Sequence, residues 1–299
     1  MEPIVSGGTT LPVGLPLLGR APWRILNDVD QATIEGLACL FRSGQPFPHL
    51  VIDGLFDPEF LRNICESFEE LPAGSWGLSN HRLQKKAGTA SDARLPDIAK
   101  CYFDNLNSVP MRRFLSRTTG IEGLLPDPSL YSGGMHKVPD GGLFELHTDF
   151  AYHPTTLCRN RIAVITYLNE GWQAEFGGAL ELWQSSPRVR IAPILPVFGR
   201  TIVMEVGPRN VHGHPDAVRA PEGRSRRSLS AYFYTECVSS GLDRRTSTTA
   251  YVDRPTAGFD VRTIRFIYAA MPRPVAAAAR KVLGRRKWLR TTSRGSRRR

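Results

Sequence analysis

The fold is decided by the stretch GGLFELHTDF, residues 141–150, in which two glycines precede a short run of alternating side chains. Because side chains alternate between the two faces of a β-strand, His147 and Asp149 are predicted to project from the same face. Together they would supply two ligands to a metal ion and leave the rest of its coordination sphere open. The His-x-Asp pattern alone is a weak signal of a metal site, since a His and an Asp exposed at a strand end give the same pattern.

Short runs of apolar or alternating residues, separated by Gly and Pro, extend over residues 129–236 around this stretch. Seven or eight short strands in roughly 105 residues are typical of a jelly-roll sandwich or barrel, so we predict a mainly β domain with flanking helices. The runs are LYSGGMHKV, GGLFELHTDF, RIAVITYLN, GGALELW, VRIAPILP, RTIVMEV and RRSLSAYFYT.

The residues before this region predict helices and one strand. A helix is expected from Gln31 to Phe41, a strand in PFPHLVIDGLF, and a second helix after Asp57, which is a suitable N-cap before Pro58. Residues 75–95 are polar and are predicted to form a mobile loop, and residues 96–125 are predicted to be helical. The expected division is an N-terminal extension (1–45), a domain (46–240, β core about 129–236) and a C-terminal extension (241–299).

A third metal ligand is predicted at His212, which lies 63 residues after Asp149 and just past the run RTIVMEV. Two imidazoles and one carboxylate on one face of a metal form the facial triad of non-haem Fe(II) oxygenases. His214, two residues further along, is the alternative third ligand.

An Fe(II) centre of this kind needs a two-electron co-substrate, and 2-oxoglutarate can chelate the metal while its distal carboxylate binds a fixed cation. A guanidinium matches a carboxylate in two places, and Arg226 and Arg227 both follow His212. Every second residue starting at 226 is polar, so the strand face that carries Arg226 suits a co-substrate pocket. The opposite face, which carries every second residue starting at 227, is mostly apolar. We therefore predict Arg226 as the cation, with Ser228 or Ser230 as hydroxyl partners, and Arg227 as the alternative.

The motifs GGLFELHTDF, IAVITYLNEGW, FGGALELW, TIVMEV-x5-HGH and SRRSLSAYFYT occur in this order over about residues 129–236. With them the chain resembles the Fe(II)/2-oxoglutarate-dependent dioxygenases, specifically the prolyl-4-hydroxylase-like branch. A weaker similarity, HLVIDGLFDPEFLRNI, extends towards residue 48. The resemblance implies a double-stranded β-helix with helices packed on one sheet, and His147, Asp149 and His212 as iron ligands.

The same resemblance implies the chemistry of the site. It predicts hydroxylation of a substrate C–H bond with release of succinate and CO2, with Fe(II), 2-oxoglutarate, dioxygen and ascorbate as a candidate reductant. Tyr167 matches a family tyrosine that contacts the distal carboxylate, although a core tyrosine would also fit. Lys137 departs from the family at a position that often holds a second pocket tyrosine. The substrate is expected to be a small molecule or a peptide, and the oligomeric state is not predicted.

The net positive charge of the chain lies in its C-terminal tail. The formal net charge is +11, but 13 Lys and Arg with no acidic residue lie in 261–299, and the other 260 residues carry 26 basic against 28 acidic side chains. The basic tail is expected either to be disordered in solvent or to contact an anionic surface such as lipid, nucleic acid or an acidic carrier protein. A nucleic-acid- or membrane-associated member of the fold, or a non-catalytic scaffold targeted by the tail, is therefore the alternative function.

The localisation predicted from the sequence is cytoplasmic. The N-terminus lacks the basic leader of a secretory signal, and no apolar window is long enough to span a membrane. The five cysteines are odd in number and widely spaced, which favours reduced thiols.

Overall fold

The computed structural model describes residues 9–10, 31–90, 93–183, 190–237 and 248–252. The predictions for most of the N-terminal extension and for the basic tail, including its partner, lie outside the described residues. The proposed domain boundaries stay predictions.

Four α-helices precede the β-rich region, and their ends follow from local chemistry. Asp57 caps α2 by accepting a hydrogen bond from the Phe60 backbone N–H at 2.8 Å. Gly120, at φ 73°, ends α4 in the left-handed conformation that glycine adopts without strain. The helices are α1 Gln31–Ser43, α2 Pro58–Ser67, α3 Asp97–Leu106 and α4 Val109–Thr119, and short 3-10 turns span Ala73–Ser75 and Ala174–Phe176.

Thirteen strands are present in the described part of the chain. They are β1 Thr9–Thr10, β2 His49–Asp53, β3 Trp76–His81, β4 Gln84–Thr89, β5 Gly134–Val138, β6 Leu143–Thr148, β7 Cys158–Tyr167, β8 Leu180–Trp183, β9 Arg190–Ile194, β10 Arg200–Glu205, β11 Val211–His214, β12 Arg226–Cys237 and β13 Ala250–Tyr251.

The strands pair in the order β1-β2-β10-β7-β12-β5-β4-β6-β11-β8-β9, with β13 joined to β6 and β3 joined to β4. Every pairing is antiparallel except that of β1 with β2. The sheet curls so that β6, β11 and β8 lie opposite β10, β7 and β12. This is the predicted double-stranded β-helix with flanking helices, and the fold class is confirmed.

Alternation along β7 divides the interior into two layers. Ile162 and Val164 face the helices and belong to the large core that includes Phe60, Leu61 and other helical residues. Ala163 and Tyr167 face the other way, into a smaller apolar cluster between the two halves of the sheet. Burial of each large apolar side chain stabilises the fold by about 1.5–3 kcal/mol, so the helices hold the outer face of the sheet firmly.

A chain of three buried hydroxyls crosses the layer between α3 and the sheet. Tyr102 donates its hydroxyl hydrogen to Thr166 Oγ1 at 2.8 Å, and Thr166 Oγ1 lies 2.9 Å from Thr201 Oγ1. All three side chains are fully buried. A buried hydroxyl without a partner costs free energy, so this chain fixes the position of α3 on β7 and β10.

One local prediction, the mobile loop at residues 75–95, is wrong. Residues 76–89 form the hairpin of β3 and β4 instead of a mobile loop, and six residue pairs from Trp76–Thr89 to His81–Gln84 join the strands. Both faces of this hairpin carry polar residues, which hid its period in the sequence. The segment that holds His212 and His214 forms a strand of its own, β11.

The prediction of five reduced thiols is wrong for one pair. Cys158 and Cys237 are direct cross-strand partners on β7 and β12 and form a disulfide. Their 79-residue separation gave no local signal. Cys39, Cys65 and Cys101 are free. Among the described residues, no helix is both long enough and apolar enough to cross a membrane.

Candidate metal centre

Three ligand-bearing side chains converge between β6 and β11. One ligand atom from each of His147, Asp149 and His212 lies within 4.8 Å of the others. Their convergence follows from the sheet, because His147 and His212 are paired directly across the antiparallel β6–β11 ladder. The imidazole Nε2 atoms of His147 and His212 lie 3.7 and 3.5 Å from the Asp149 carboxylate oxygens.

Hydrogen bonds to the backbone orient both imidazoles. His147 Nδ1 lies 2.8 Å from the Glu145 carbonyl oxygen and His212 Nδ1 lies 3.2 Å from the Asn210 carbonyl oxygen. A carbonyl only accepts, so each Nδ1 carries the hydrogen and each Nε2 presents a lone pair towards Asp149. Burial lowers the pKa of His147 well below its usual value, which favours the neutral, ligating form.

The carboxylate of Asp149 fits a metal. Its Oδ2 is buried without a hydrogen-bond partner in the described part of the protein. Its Oδ1 accepts a hydrogen bond from the Tyr232 hydroxyl at 3.2 Å. His147 Nε2 faces Oδ1 and His212 Nε2 faces Oδ2. A buried carboxylate beside two imidazole lone pairs needs a cation to offset its desolvation, and Fe(II) suits this donor set.

His214, the alternative third ligand, also lies in the pocket but outside the triad. It is buried, and its Nδ1 has no hydrogen-bond partner among the described residues. Burial followed by the charge of Arg226 lowers its pKa well below the usual value. His214 is therefore under the influence of the Arg226 charge and is not one of the three converging ligands.

Arg226 and Tyr167 meet on the inner face of the sheet. The Arg226 guanidinium donates to the Tyr167 hydroxyl at 3.2 Å and to the Gly178 carbonyl at 2.6 Å. Its central carbon lies 4.8 Å from the centroid of the Tyr167 ring. Arg226 is only 5% exposed, and no carboxylate in the described ranges pairs with it. A buried guanidinium with free donors can accept the distal carboxylate of 2-oxoglutarate.

The two faces of β12 differ as the alternation predicts. Ser228 and Ser230 are buried on the side of Arg226, and Ser230 Oγ lies 3.3 Å from His136 Nδ1. Arg227 points the opposite way, where it pairs with Glu69 at 2.6 Å beside α2. The structure therefore places Arg226 in the pocket and Arg227 outside it, and the binding of 2-oxoglutarate by Arg226 stays a prediction.

The structure also places residues that the sequence did not single out. Tyr232 bonds to Asp149 and shares the polar face of β12 with Arg226, so the alternation could have identified it. Lys86 lies in the pocket on β4 and was missed because its strand was interpreted as a loop. Lys137 points away from the pocket, with its ammonium 4.1 Å from the centroid of the Trp76 ring. His153 is buried, with its Nε2 3.6 Å from the Asp127 carboxylate.

Gly178 packs closely against the Arg226 side chain. Its φ is +66°, and a Cβ atom at this position would lie 2.8 Å from Arg226 Cδ and 3.0 Å from Val218 Cγ2. We expect Gly178→Ala to push the guanidinium aside and to weaken 2-oxoglutarate binding about tenfold. Calorimetric titration of 2-oxoglutarate into the metal-loaded protein measures this effect.

Gly171 supplies the matched control. It has φ +59°, but a Cβ atom there meets nothing within 4 Å. Gly171→Ala therefore imposes similar backbone strain without touching Arg226 and should leave 2-oxoglutarate binding unchanged. Equal losses of affinity in both variants would show that strain, rather than displacement of Arg226, causes the effect.

Comparison with known families agrees with this geometry. Residues 133–234 match the model of the 2OG-Fe(II) oxygenase superfamily. Over 86 residues the chain is 30% identical to prolyl 3-hydroxylase OGFOD1 of Mus musculus. That alignment covers 27% of this chain and 15% of the mouse protein, so the chain matches only a small part of that relative.

Solved structures share the fold at low sequence identity. A 2OG-Fe(II) oxygenase family oxidoreductase from Burkholderia pseudomallei has a TM-score of 0.51 at 15% identity, covering 69% of this chain and 93% of that one. A Pseudomonas putida prolyl-4-hydroxylase has a TM-score of 0.49 at 18% identity, covering 67% of this chain and 99% of that one.

Residues 133–234 therefore match the 2OG-Fe(II) oxygenase superfamily, and the resemblance predicted from the sequence is confirmed. The mouse relative matched over 86 residues is named as a prolyl 3-hydroxylase. Proteins of this family are dioxygenases that use Fe(II), 2-oxoglutarate and dioxygen. His147, Asp149 and His212 are the residues in the described structure that could hold the iron.

Proposed function

We propose that this protein is an Fe(II)- and 2-oxoglutarate-dependent dioxygenase that hydroxylates a C–H bond of its substrate and releases succinate and CO2. The observation that carries the proposal is the convergence of the His147 and His212 Nε2 lone pairs on the two oxygens of the buried Asp149 carboxylate, whose Oδ2 has no hydrogen-bond partner among the described residues. The match to the oxygenase family over residues 133–234 supports the same chemistry. A non-catalytic scaffold would not need these buried polar atoms to converge.

The residues of the pocket have separate tasks in this reaction. His147, Asp149 and His212 would hold the iron, which when bound supplies the activation of dioxygen coupled to decarboxylation of 2-oxoglutarate. Arg226 and Tyr167 orient the co-substrate through its distal carboxylate. Arg226 is held ready by Gly178 and Tyr167, so little reorganisation is needed when the carboxylate arrives.

Tyr232 and the apolar lining complete the site. Tyr232 donates a hydrogen bond to Oδ1 of Asp149 and so helps to orient this carboxylate, whose Oδ2 faces His212. Ala163, Leu180, Leu182, Ile202 and Met204 surround Tyr167 and exclude bulk water from the base of the pocket. Exclusion of water strengthens the Arg226–carboxylate pair and limits side reactions.

The substrate is proposed to be a small molecule or a peptide, in line with the prolyl hydroxylases among the relatives. The decisive experiment is to load the purified protein with Fe(II) and to measure succinate formed from 2-oxoglutarate with and without proline-containing peptides and a metabolite library. Succinate formation that requires both Fe(II) and 2-oxoglutarate, and that a substrate increases, supports the proposal. Failure of the iron-loaded protein to decarboxylate 2-oxoglutarate under any of these conditions would contradict it.

A further inference from the structure

A second cation, Lys86, enters the pocket from β4. Ala87 of the same strand is buried in the core beneath the helices, so its neighbours Lys86 and Gly88 face the opposite side. Gly88 confirms this direction, because a Cβ atom there would lie 2.8 Å from the ring of His136, whose Nδ1 contacts Ser230. Lys86 therefore shares the interior with the predicted co-substrate site.

A stack of side chains places the ammonium group close to the metal ligands. Lys86 Nζ lies 4.5 Å from the centroid of the Phe144 ring, and that ring stacks on the imidazole of His147 with 3.8 Å between centroids. One aromatic ring therefore separates the cation from a ligand of the metal. A cation over an aromatic face gains about 0.5–2 kcal/mol, which helps to hold the ammonium in this position.

Lys86 has no anionic partner of its own. In the ranges that the structure describes, no carboxylate lies within salt-bridge distance of Nζ and no hydrogen bond forms there. Burial lowers its pKa to about 8, and the charge of Asp149 partly opposes this while that of Arg226 adds to it. An ammonium group at this position is a positive charge with no carboxylate partner among the described residues.

The charges of Fe(II), 2-oxoglutarate and the two charged residues of the site that bind them sum to zero without Lys86. The two positive charges of Fe(II) and the one of Arg226 equal the two negative charges of 2-oxoglutarate and the one of Asp149. Lys86 therefore leaves a surplus of one positive charge at the partly buried wall of the pocket, and an unpaired charge is costly where water is partly excluded. One further anion would remove this surplus.

Lys86 is also the more accessible of the two cations. Arg226 is almost completely buried, whereas Lys86 is only partly buried. Two residues before Lys86 on the same face, Gln84 accepts a hydrogen bond from the Tyr251 hydroxyl at 3.1 Å, and Tyr251 is itself partly exposed. Lys86 thus lies between this outer rim and the deeper Arg226, at the level where a substrate would approach the metal.

We infer that Lys86 binds an anionic group of the primary substrate, so that the enzyme acts on molecules carrying a carboxylate or a similar anion close to the carbon that is hydroxylated. This inference rests on the proposed function. Because Arg226, Tyr167 and the buried His214 already line the co-substrate side of the pocket, the anion at Lys86 belongs to the substrate rather than to 2-oxoglutarate.

Nuclear magnetic relaxation tests the inference without turnover. The full-length protein is loaded with Mn(II), saturated with 2-oxoglutarate and titrated with acetate, whose methyl protons relax faster when they bind near the paramagnetic ion. Acetamide, which is neutral and nearly the same shape, serves as the second probe. We expect acetate to relax markedly faster than acetamide with the wild-type protein, and Lys86→Met to weaken apparent acetate binding at least about tenfold.

Two further variants and three further measurements complete the design. Lys86→Arg should retain acetate binding, and Lys85→Met should leave it unchanged, because Lys85 lies on the other face of β4 and donates to the Asp140 carbonyl. Mn(II) affinity, 2-oxoglutarate affinity and thermal unfolding of each variant are measured separately by titration and calorimetry. Near-native values for Lys86→Met show that only the anion site has changed.

The outcomes separate this inference from the proposed function. Acetate relaxation that is the same in Lys86→Met and wild type would overturn the inference, as would equal relaxation of acetate and acetamide. Loss of the acetate effect when 2-oxoglutarate is added to the wild type, or a large drop in 2-oxoglutarate affinity in Lys86→Met, would assign the cation to the co-substrate instead. A wild-type protein that binds neither Mn(II) nor 2-oxoglutarate would contradict the proposed function, and the inference with it.

Discussion

Replacing Asp149 with alanine is expected to lower the affinity for Fe(II) by more than about a hundredfold and to abolish turnover. The carboxylate is the only charged ligand of the three, and without it two neutral imidazoles remain to hold a divalent cation. Changes beyond the ligands themselves already cost 10–100-fold in metal sites, so loss of a ligand should cost more than about this range. Anaerobic titration with Fe(II) and Mn(II) measures the affinity directly.

The companion variants identify the third ligand. His147→Ala and His212→Ala should have effects similar to that of Asp149→Ala, whereas His214→Ala should keep most of the metal affinity because its imidazole lies outside the triad. Circular dichroism and thermal unfolding of each variant establish that the fold is intact. If His214→Ala removed the metal and His212→Ala did not, the assignment of the third ligand would be wrong.

The second large effect is expected at Arg226. Arg226→Ala should raise the apparent KM for 2-oxoglutarate about a hundredfold, because the distal carboxylate would enter a buried site without its cation. Loss of a buried charge-assisted pair typically costs about 2–5 kcal/mol, and about 2.7 kcal/mol corresponds to a hundredfold change. Steady-state measurement of succinate formation against 2-oxoglutarate concentration gives the value.

Arg227 is the natural control for this variant. It is the next residue in the chain and has the same side chain, but it donates to the Cys65 carbonyl and pairs with Glu69 on the helical side of the sheet. Arg227→Ala should therefore leave the KM for 2-oxoglutarate close to that of the wild type and change stability by about 1 kcal/mol or less. Similar increases of KM in both variants would leave Arg226 without its assigned task.

The direction of the site's side chains along their strands could be predicted from the sequence. The two-residue repeat placed His147 and Asp149 on one face and separated Arg226 from Arg227, because each inference needed only the direction of neighbouring side chains. Strand periodicity could not predict the pairing of His212 with His147. It depends on an antiparallel ladder between segments 65 residues apart, and the sequence could anticipate it only through resemblance to a family.

The features that were missed share a physical cause. In β3 and β4 polar residues occupy both faces, so the hairpin shows no apolar repeat, and Lys86 was taken for part of a loop. The Cys158–Cys237 disulfide joins residues that are distant in sequence and become neighbours only when β7 and β12 pair. In both cases tertiary contacts override what a local window can show.

The hydroxyl chain from Tyr102 through Thr166 to Thr201 makes the helical layer and the sheet a single unit for protein engineering. Apolar layers can be exchanged or repacked with a modest loss of stability, because apolar surfaces pack against one another in many registers. Three hydroxyls in sequence match in only one register, and the middle one adjoins Tyr167 on β7. Anyone who transplants this sheet onto a different set of helices must bring a hydroxyl at position 102 with it, or replace all three oxygens together by apolar groups.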